Sequence, residues 1–181
     1  SPYSATKIAA DQLAISYFKS FDLPVKIVRP FNTYGPRQSA RAIIPTVISQ
    51  ILNGQKRLKL GNLSPTRDLT FVKDTAKGFY EIAQEETLFG EITNIGMGHE
   101  ISIENLVSLI ARLMGETIEV VTEEVRIRPE KSEVERLLCD NTKILQQTNW
   151  QPAYTIETGL METIQWIKEN LHYFKSDIYN V

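Results

Sequence analysis

Long apolar runs, cysteines and an excess of one charge are all missing from this chain, and each absence narrows what it can be. No uninterrupted hydrophobic stretch in the 181 residues approaches the roughly 18 to 20 needed to span a bilayer, so no membrane partner is expected. The single cysteine, Cys139, excludes an intrachain disulfide and fits a reducing compartment, with the cytoplasm as the expected location. Its expected place is the core, as a small hydrophobe. With 20 basic and 22 acidic side chains the net charge is -2, which offers no basic surface for nucleic acid. His99 and His172 have no partner at metal-ligand spacing, so no metal site is expected. Nor does any Gly-x-Gly-x-x-Gly turn follow a strand. The nearest approach, Gly96-Met97-Gly98, continues into His99-Glu100-Ile101 without a third glycine and reads as a turn. The loop that cradles the phosphates of a dinucleotide is therefore not in this sequence.

What is present alternates short strands with helices. Pro2 to Phe21 reads as a helix with a broad apolar face, broken by Asp22-Leu23-Pro24. Val25 to Val28 reads as a strand, and Asn32 to Ala40, with Gly35-Pro36, as a loop leaving its carboxyl end. A second helix is expected over Ala42 to Leu52, stopped by Asn53-Gly54. Extended pieces follow at Leu58 to Leu60 and Asp68 to Val72, with Asp74 capping a helix over Thr75 to Glu86. Glu91 to Ile95 and Ile118 to Val121 read as strands on either side of a helix, Ile103 to Met114, capped by Ser102 and closed by Gly115. Asp140 is placed to cap a short helix over Thr142 to Gln147, and Thr155 or Glu157 opens the last one, running to about Phe174. Trp150 and Trp166 are expected to pack in the interior. The alternation means an α/β fold.

The chemistry-bearing motif lies at the amino end, Tyr3-Ser4-Ala5-Thr6-Lys7. A tyrosine and a lysine four apart on a helix share a face. An ammonium near a phenol favours the phenolate, drawing its pKa from about 10 towards neutrality, which suits a general base acting on a sugar or alcohol hydroxyl.

These residues, together with Val28-Arg29-Pro30-Phe31-Asn32-Thr33-Tyr34-Gly35-Pro36-Arg37, Arg67 to Asp74, Asn94-Ile95-Gly96, Arg128-Pro129, Asp140 to Lys143 and Trp150-Gln151-Pro152, occur in a recognisable order. The chain resembles the C-terminal part of an extended short-chain dehydrogenase/reductase, of the nucleotide-sugar epimerase and dehydratase family. The stretch 128–134 and the ending 177–181 look most like the N-acetylhexosamine 4,6-dehydratases of legionaminic-type sugar biosynthesis. The resemblance implies the C-terminal portion of a Rossmann-type NAD(P)-binding fold plus a small mixed α/β substrate-binding domain. Residues 1–40 would end the Rossmann-type domain, and 41–181 would mainly bind the nucleotide sugar, with some segments returning to the Rossmann sheet.

The same resemblance implies roles for individual residues. Tyr3 would take the proton from the sugar 4-hydroxyl, and Lys7 would activate Tyr3 and hydrogen-bond the ribose of NAD. Pro30 and Phe31 would pass the nicotinamide, and Asn32 would hydrogen-bond the substrate. Arg67 and Arg128 would pair with the pyrophosphate, and Arg37 and Arg41 would line the site. The implied activity is a 4,6-dehydratase, with a 4-epimerase as the alternative and a non-catalytic binding module as a third reading. The Thr-Asp-Glu triplet that marks dehydratases lies before the tyrosine in that family and is not in this sequence. The family also implies a homodimer through a helix pair, with the apolar faces of Pro2 to Phe21 and Thr75 to Glu86 available for it. Alone, the chain is expected to fold marginally and neither to hold NAD nor to turn over.

Overall fold

A computed structural model describes residues 2–123 and 134–174. Helix α1 (Pro2–Phe21) is followed by strand β1 (Ile27–Pro30), which pairs in parallel with β6 (Ile92–Ile95). After Phe31 the same extended run continues as β2 (Asn32–Tyr34), now pairing in parallel with β5 (Leu69–Phe71). The expected loop over Asn32 to Ala40 is thus corrected: its first three residues are strand. Three residues are too short a run to signal a strand, and the partner that makes them one lies far off in sequence at Leu69–Phe71. The turn itself follows at Gly35 to Gln38, with Arg37 at φ 67°, the left-handed region.

Two more sheets complete the chain. Strands β3 (Arg57–Leu60) and β8 (Glu119–Thr122) pair in parallel. Strand β4 (Thr66–Arg67) lies between β7 (Ile101–Ser102), antiparallel to it, and β9 (Arg136–Leu137), parallel to it.

Helices α2 (Ile43–Leu52), α4 (Ile103–Leu113) and α6 (Ile156–Glu169) pack together over these strands. Their shared core includes Val47, Ile48, Leu58, Leu106, Ile110 and Leu160, each essentially fully buried. Burying side chains of this size stabilises by about 1.5–3 kcal/mol each, which makes this cluster the main store of the chain's stability. A second cluster, Ile82, Leu88, Ile95, Ile144 and Trp150, lies between α3 (Val72–Gln84), β6 and α5 (Thr142–Gln147).

The helix ends follow the expected chemistry in most places. The Ser102 hydroxyl accepts the Asn105 N–H, Gly115 takes φ 70° past the end of α4, and Thr155 with Thr158 forms a reciprocal capping box on α6. Asp140, expected as a cap, stands one residue before the N-cap of α5, Asn141, and its carboxylate accepts the Thr142 N–H at 3.0 Å in a local turn.

Asp74 departs further from its expected role. It lies inside the first turn of α3, whose N-cap is Phe71, and it is buried. Its carboxylate accepts the N–H groups of Ala153 (2.9 Å) and Tyr154 (3.0 Å), while its carbonyl accepts the Trp150 indole N–H at 2.9 Å. The expected helix cap is a tertiary clamp, because a buried carboxylate is kept only where donors meet it and these come from another segment. Trp150 is buried as expected, and Trp166 is half-buried against the main core. Among the described residues no helix is long and apolar enough to cross a membrane, and no three His, Cys, Asp or Glu side chains are grouped to hold a metal.

Candidate active site

The partner change at Phe31 creates the place where a ligand can sit. Up to Pro30 the chain is held by β6, and the Phe31 N–H still donates to the Ile95 carbonyl at 2.8 Å. From Asn32 onward it belongs to β5. At the carboxyl end of β1 one extended run thus leaves one parallel partner for another, the kind of topological switch whose crevice binds ligands in open α/β sheets. Pro30 and Asn32 are exposed there and Phe31 is half-buried, so all three remain accessible at that edge.

Helix α1 meets the rest of the molecule along one stripe only. Asp11, Ala14, Ile15 and Phe18 are half-buried, at the spacing of a single helical face. Asp11 Oδ2 accepts from both Nε (2.8 Å) and Nη2 (2.6 Å) of Arg29, which is on β1 two residues before Phe31. Lower down, Phe18 fills the space that a Cβ on Gly90 would occupy. Tyr3 and Lys7 extend this stripe towards the helix N-terminus, two turns and one turn beyond Asp11, about 12 Å and 6 Å along the axis. The Lys7 ammonium stands 5.5 Å from the centroid of the Tyr3 ring. Both side chains are exposed. The pair thus continues from the Asp11 side of the helix, and the Asp11–Arg29 ion pair ties that side to the β1 edge.

Sequence reasoning passed over that ion pair. Its signal was the third step in the series Tyr3, Lys7, Asp11, a four-residue repeat along one face.

The other side of the crevice is built around Asp68. This carboxylate is completely buried and accepts three backbone N–H groups: Met97 (2.8 Å), Gly98 (2.9 Å) and Cys139 (3.2 Å). The Gly96-Met97-Gly98 segment is the expected turn, with Gly98 at φ 72° and Gly96 so close to Cys139 that a Cβ there would overlap its side chain. Asn141 closes the turn from the other side, donating to the Gly96 carbonyl at 2.9 Å. Arg67, next to Asp68, is half-buried and its Nη1 donates to the carbonyls of Thr66 (2.7 Å) and Val134 (2.6 Å). Arg37 and Arg41 are exposed on the loop between β2 and α2. On that loop Gln38 donates to the Thr33 carbonyl while its Oε1 is a buried acceptor with no protein donor. Arg128 lies outside the described residues.

Cys139 is buried, and its thiol pKa is pushed up to about 12, first by burial and then by the Asp68 and Asp140 carboxylates. It is held as a neutral core group, not poised as a nucleophile. Tyr34 is also buried; burial above all, with the Asp74 and Glu157 carboxylates, raises its phenol well above the ordinary value. Its hydroxyl donates to the Ile156 carbonyl at 3.2 Å, a structural bond between β2 and α6. Tyr3, by contrast, is exposed on α1.

Comparison with known proteins shows which proteins the chain resembles. A family model described as GDP-mannose 4,6 dehydratase matches residues 1–163. A UDP-glucuronate 4-epimerase of Thermodesulfobacterium geofontis is 34% identical over 178 residues, covering 97% of this chain and 53% of that protein. A dTDP-glucose 4,6-dehydratase of Neisseria gonorrhoeae is 33% identical over 180 residues, covering 94% of this chain and 51% of that protein. The crystal structure of dTDP-glucose 4,6-dehydratase from Bacillus anthracis in complex with NAD superposes with a TM-score of 0.84 at 34% identity, over 96% of this chain and 54% of that one. The chain thus spans about half the length of the relatives it matches.

Proposed function

Since the chain belongs to the GDP-mannose 4,6-dehydratase family of extended short-chain dehydrogenase/reductases, we propose that it forms the catalytic-tyrosine and substrate side of an NAD-dependent nucleotide-sugar 4,6-dehydratase. The observation that carries this is the Tyr3–Lys7 pair on the one face of α1 that turns to the β1 edge, where the chain changes sheet partners.

The residues at that edge fit the nicotinamide end of the cofactor. Pro30 and Phe31 offer backbone at an accessible strand end, and Lys7 offers a cation within one face of Tyr3. NAD, when bound, supplies the hydride acceptor for oxidation at C4 and returns the hydride at C6. Tyr3 takes the proton from the 4-hydroxyl, and the Lys7 ammonium stabilises the phenolate that does so. The ketone at C4 acidifies the C5 proton, which is what allows water to leave across C5 and C6. Asn32 orients the sugar. Arg67 and Arg128 clamp the pyrophosphate, with Arg37 and Arg41 along the approach, since guanidinium forks suit phosphate oxygens.

An N-acetylhexosamine linked to UDP, GDP or dTDP is the proposed substrate, supported by the sequence likeness of 128–134 and 177–181. A homodimer in the cytoplasm is the proposed assembly. Its support is the exposed apolar side chains of α1, Ile8, Leu13, Tyr17 and Phe21, together with the lone cysteine. A 4-epimerase is the second reading, favoured by the 34% identity to a UDP-glucuronate 4-epimerase. Both reactions begin with the same proton removal by Tyr3.

The test is to incubate the intact gene product with UDP-, GDP- and dTDP-sugars and follow mass. Loss of one water with a new 4-keto absorbance establishes the dehydratase and its nucleotide. Unchanged mass with altered sugar stereochemistry by NMR establishes the epimerase. In either case Tyr3→Phe should lower kcat by about 10²- to 10⁴-fold, the usual weight of a general base, with substrate affinity nearly unchanged. Full turnover in that variant would remove Tyr3 from the role.

A further inference from the structure

The two walls of the crevice belong to different sheets; the β2–β5 ladder, which sets Asn32 opposite Leu69, joins them on one side of Asp68, and the Asp68 side chain joins them at the turn after β6. The cofactor-side wall is β1 with β6, and β6 runs directly into the Gly96–Gly98 turn. The substrate-side wall is β4, carrying Arg67, paired to β9. Asp68 leaves β4 and sends its carboxylate into the turn after β6, taking the N–H groups of Met97 and Gly98, while its Oδ2 also takes the Cys139 N–H just past β9. A completely buried carboxylate is costly unless its lone pairs are met, and here three short backbone bonds meet them.

The backbone of Asp68 already holds β4 to β9, through its N–H to the Leu137 carbonyl. What the side chain alone supplies is the link across to the β6 turn.

We propose that Asp68 is a positioning residue: its buried carboxylate fixes the Arg67 strand against the turn that follows β6, and so the placement of the bound sugar against the hydride acceptor. This rests on the nucleotide-sugar reading given above. It assigns Asp68 no contact with substrate or cofactor. Loosening the link leaves each wall and the β2–β5 ladder intact but lets the turn after β6 drift from the Arg67 strand, and a misplacement of about 1 Å in a hydride-transfer geometry can cost about a hundredfold in rate.

Asp74 provides the comparator. It too is a buried aspartate holding backbone N–H groups, those of Ala153 and Tyr154, but it joins α3 to the loop before α6 and touches neither wall. In the intact protein, Asp68→Asn and Asp74→Asn should both lower the melting temperature. Only Asp68→Asn should lower kcat, by about ten- to a hundredfold at a temperature where both variants are folded. Titration calorimetry with the nucleoside diphosphate alone should give an unchanged Kd for Asp68→Asn, because that ligand uses one wall only.

If kcat falls equally in the two variants, or if nucleoside diphosphate affinity falls in step with kcat, Asp68 is a stability residue and the proposal fails. Should Asp68→Asn not fold, Asn141→Ala decides the matter, since it loosens the same turn by removing the bond to the Gly96 carbonyl. It should lower kcat several-fold with the nucleoside diphosphate Kd retained, and an unchanged kcat overturns the proposal. Failure of the underlying reading looks different: the unaltered protein would then bind no nucleoside diphosphate and convert no nucleotide sugar.

Discussion

Helices α1 and α4 carry similar apolar content, yet one is nearly naked and the other is woven into the core. Helix α4 buries Ile103, Leu106, Val107, Leu109, Ile110 and Ala111 against α2 and α6. Helix α1, almost twice as long, buries none of its residues fully. Tyr3, Ile8, Leu13, Tyr17 and Phe21 are all exposed, and its hold on the rest is one half-buried stripe with the Asp11–Arg29 ion pair. The difference lies in where the partners are. The apolar residues of α4 recur on one face and meet helices of this same chain, whereas those of α1 are spread around its circumference, a pattern that requires cover on several sides. The relatives, about twice as long, have additional chain that this sequence does not include. The proposed chemistry sits on the naked helix, and the stability sits in the covered ones.

The largest expected effect tests the covered side. Trp150 is almost fully buried, packs with Ile82, Ile95 and Ile144, and gives its indole N–H to the Asp74 carbonyl. Trp150→Ala should destabilise the chain by about 3–5 kcal/mol, the range for emptying a large aromatic site. Urea unfolding followed by circular dichroism measures it. A loss below about 1 kcal/mol would mean that the second cluster contributes little to the cooperative unit.

That contrast also explains what the sequence made legible. Features whose cause lies within a few residues could be read directly. The span Pro2 to Phe21, the Ser102 cap, Gly115 past α4, the opening of α6 at Thr155 and the pairing of Tyr3 with Lys7 on one helix all match the structure. Features whose cause is a distant segment could not. Asn32 to Tyr34 became a strand only because Leu69 to Phe71 lies beside it. Asp74 reads locally as a cap, since an aspartate before a helical run caps far more often than it clamps, and its actual donors are Ala153 and Tyr154. Nothing local to Asp68 points to the N–H groups of Met97, Gly98 and Cys139 that its carboxylate accepts. Each of these misreadings falls on a residue that joins two sheets or a helix to a loop, where pattern in the sequence carries no trace of the partner.

A smaller effect distinguishes the two sides by pH. The Cys139 thiol, in the covered region, has its pKa pushed up from the ordinary 9.0 to about 12 by burial and by the Asp68 and Asp140 carboxylates. The folded state therefore keeps the proton that the unfolded chain releases first. Stability from this group is fully present below about pH 9 and is lost as pH rises towards 12. Tyr34 adds to the same alkaline slope, because its phenol is raised in the same direction. Urea midpoints taken at about pH 8 and about pH 10 should fall with pH, and the fall should be shallower in Cys139→Ala. Equal slopes in the two proteins would show that the thiol ionises as freely folded as unfolded.

The smallest expected effect sharpens the comparison most. Leu13 lies on α1 and is 61% exposed, so in the single chain its side chain gains little from the fold. Leu13→Ala should change stability by less than about 0.5 kcal/mol, as surface substitutions do, and alanine's better helix propensity offsets part even of that. The measurement is the urea midpoint at two protein concentrations well apart. If Leu13→Ala is neutral at both, α1 is uncovered in solution and its apolar circumference awaits chain that the longer relatives contain. A loss that appears only at the higher concentration would instead mean that copies of this chain cover one another's α1, because stability gained by association depends on protomer concentration while stability gained within one chain does not.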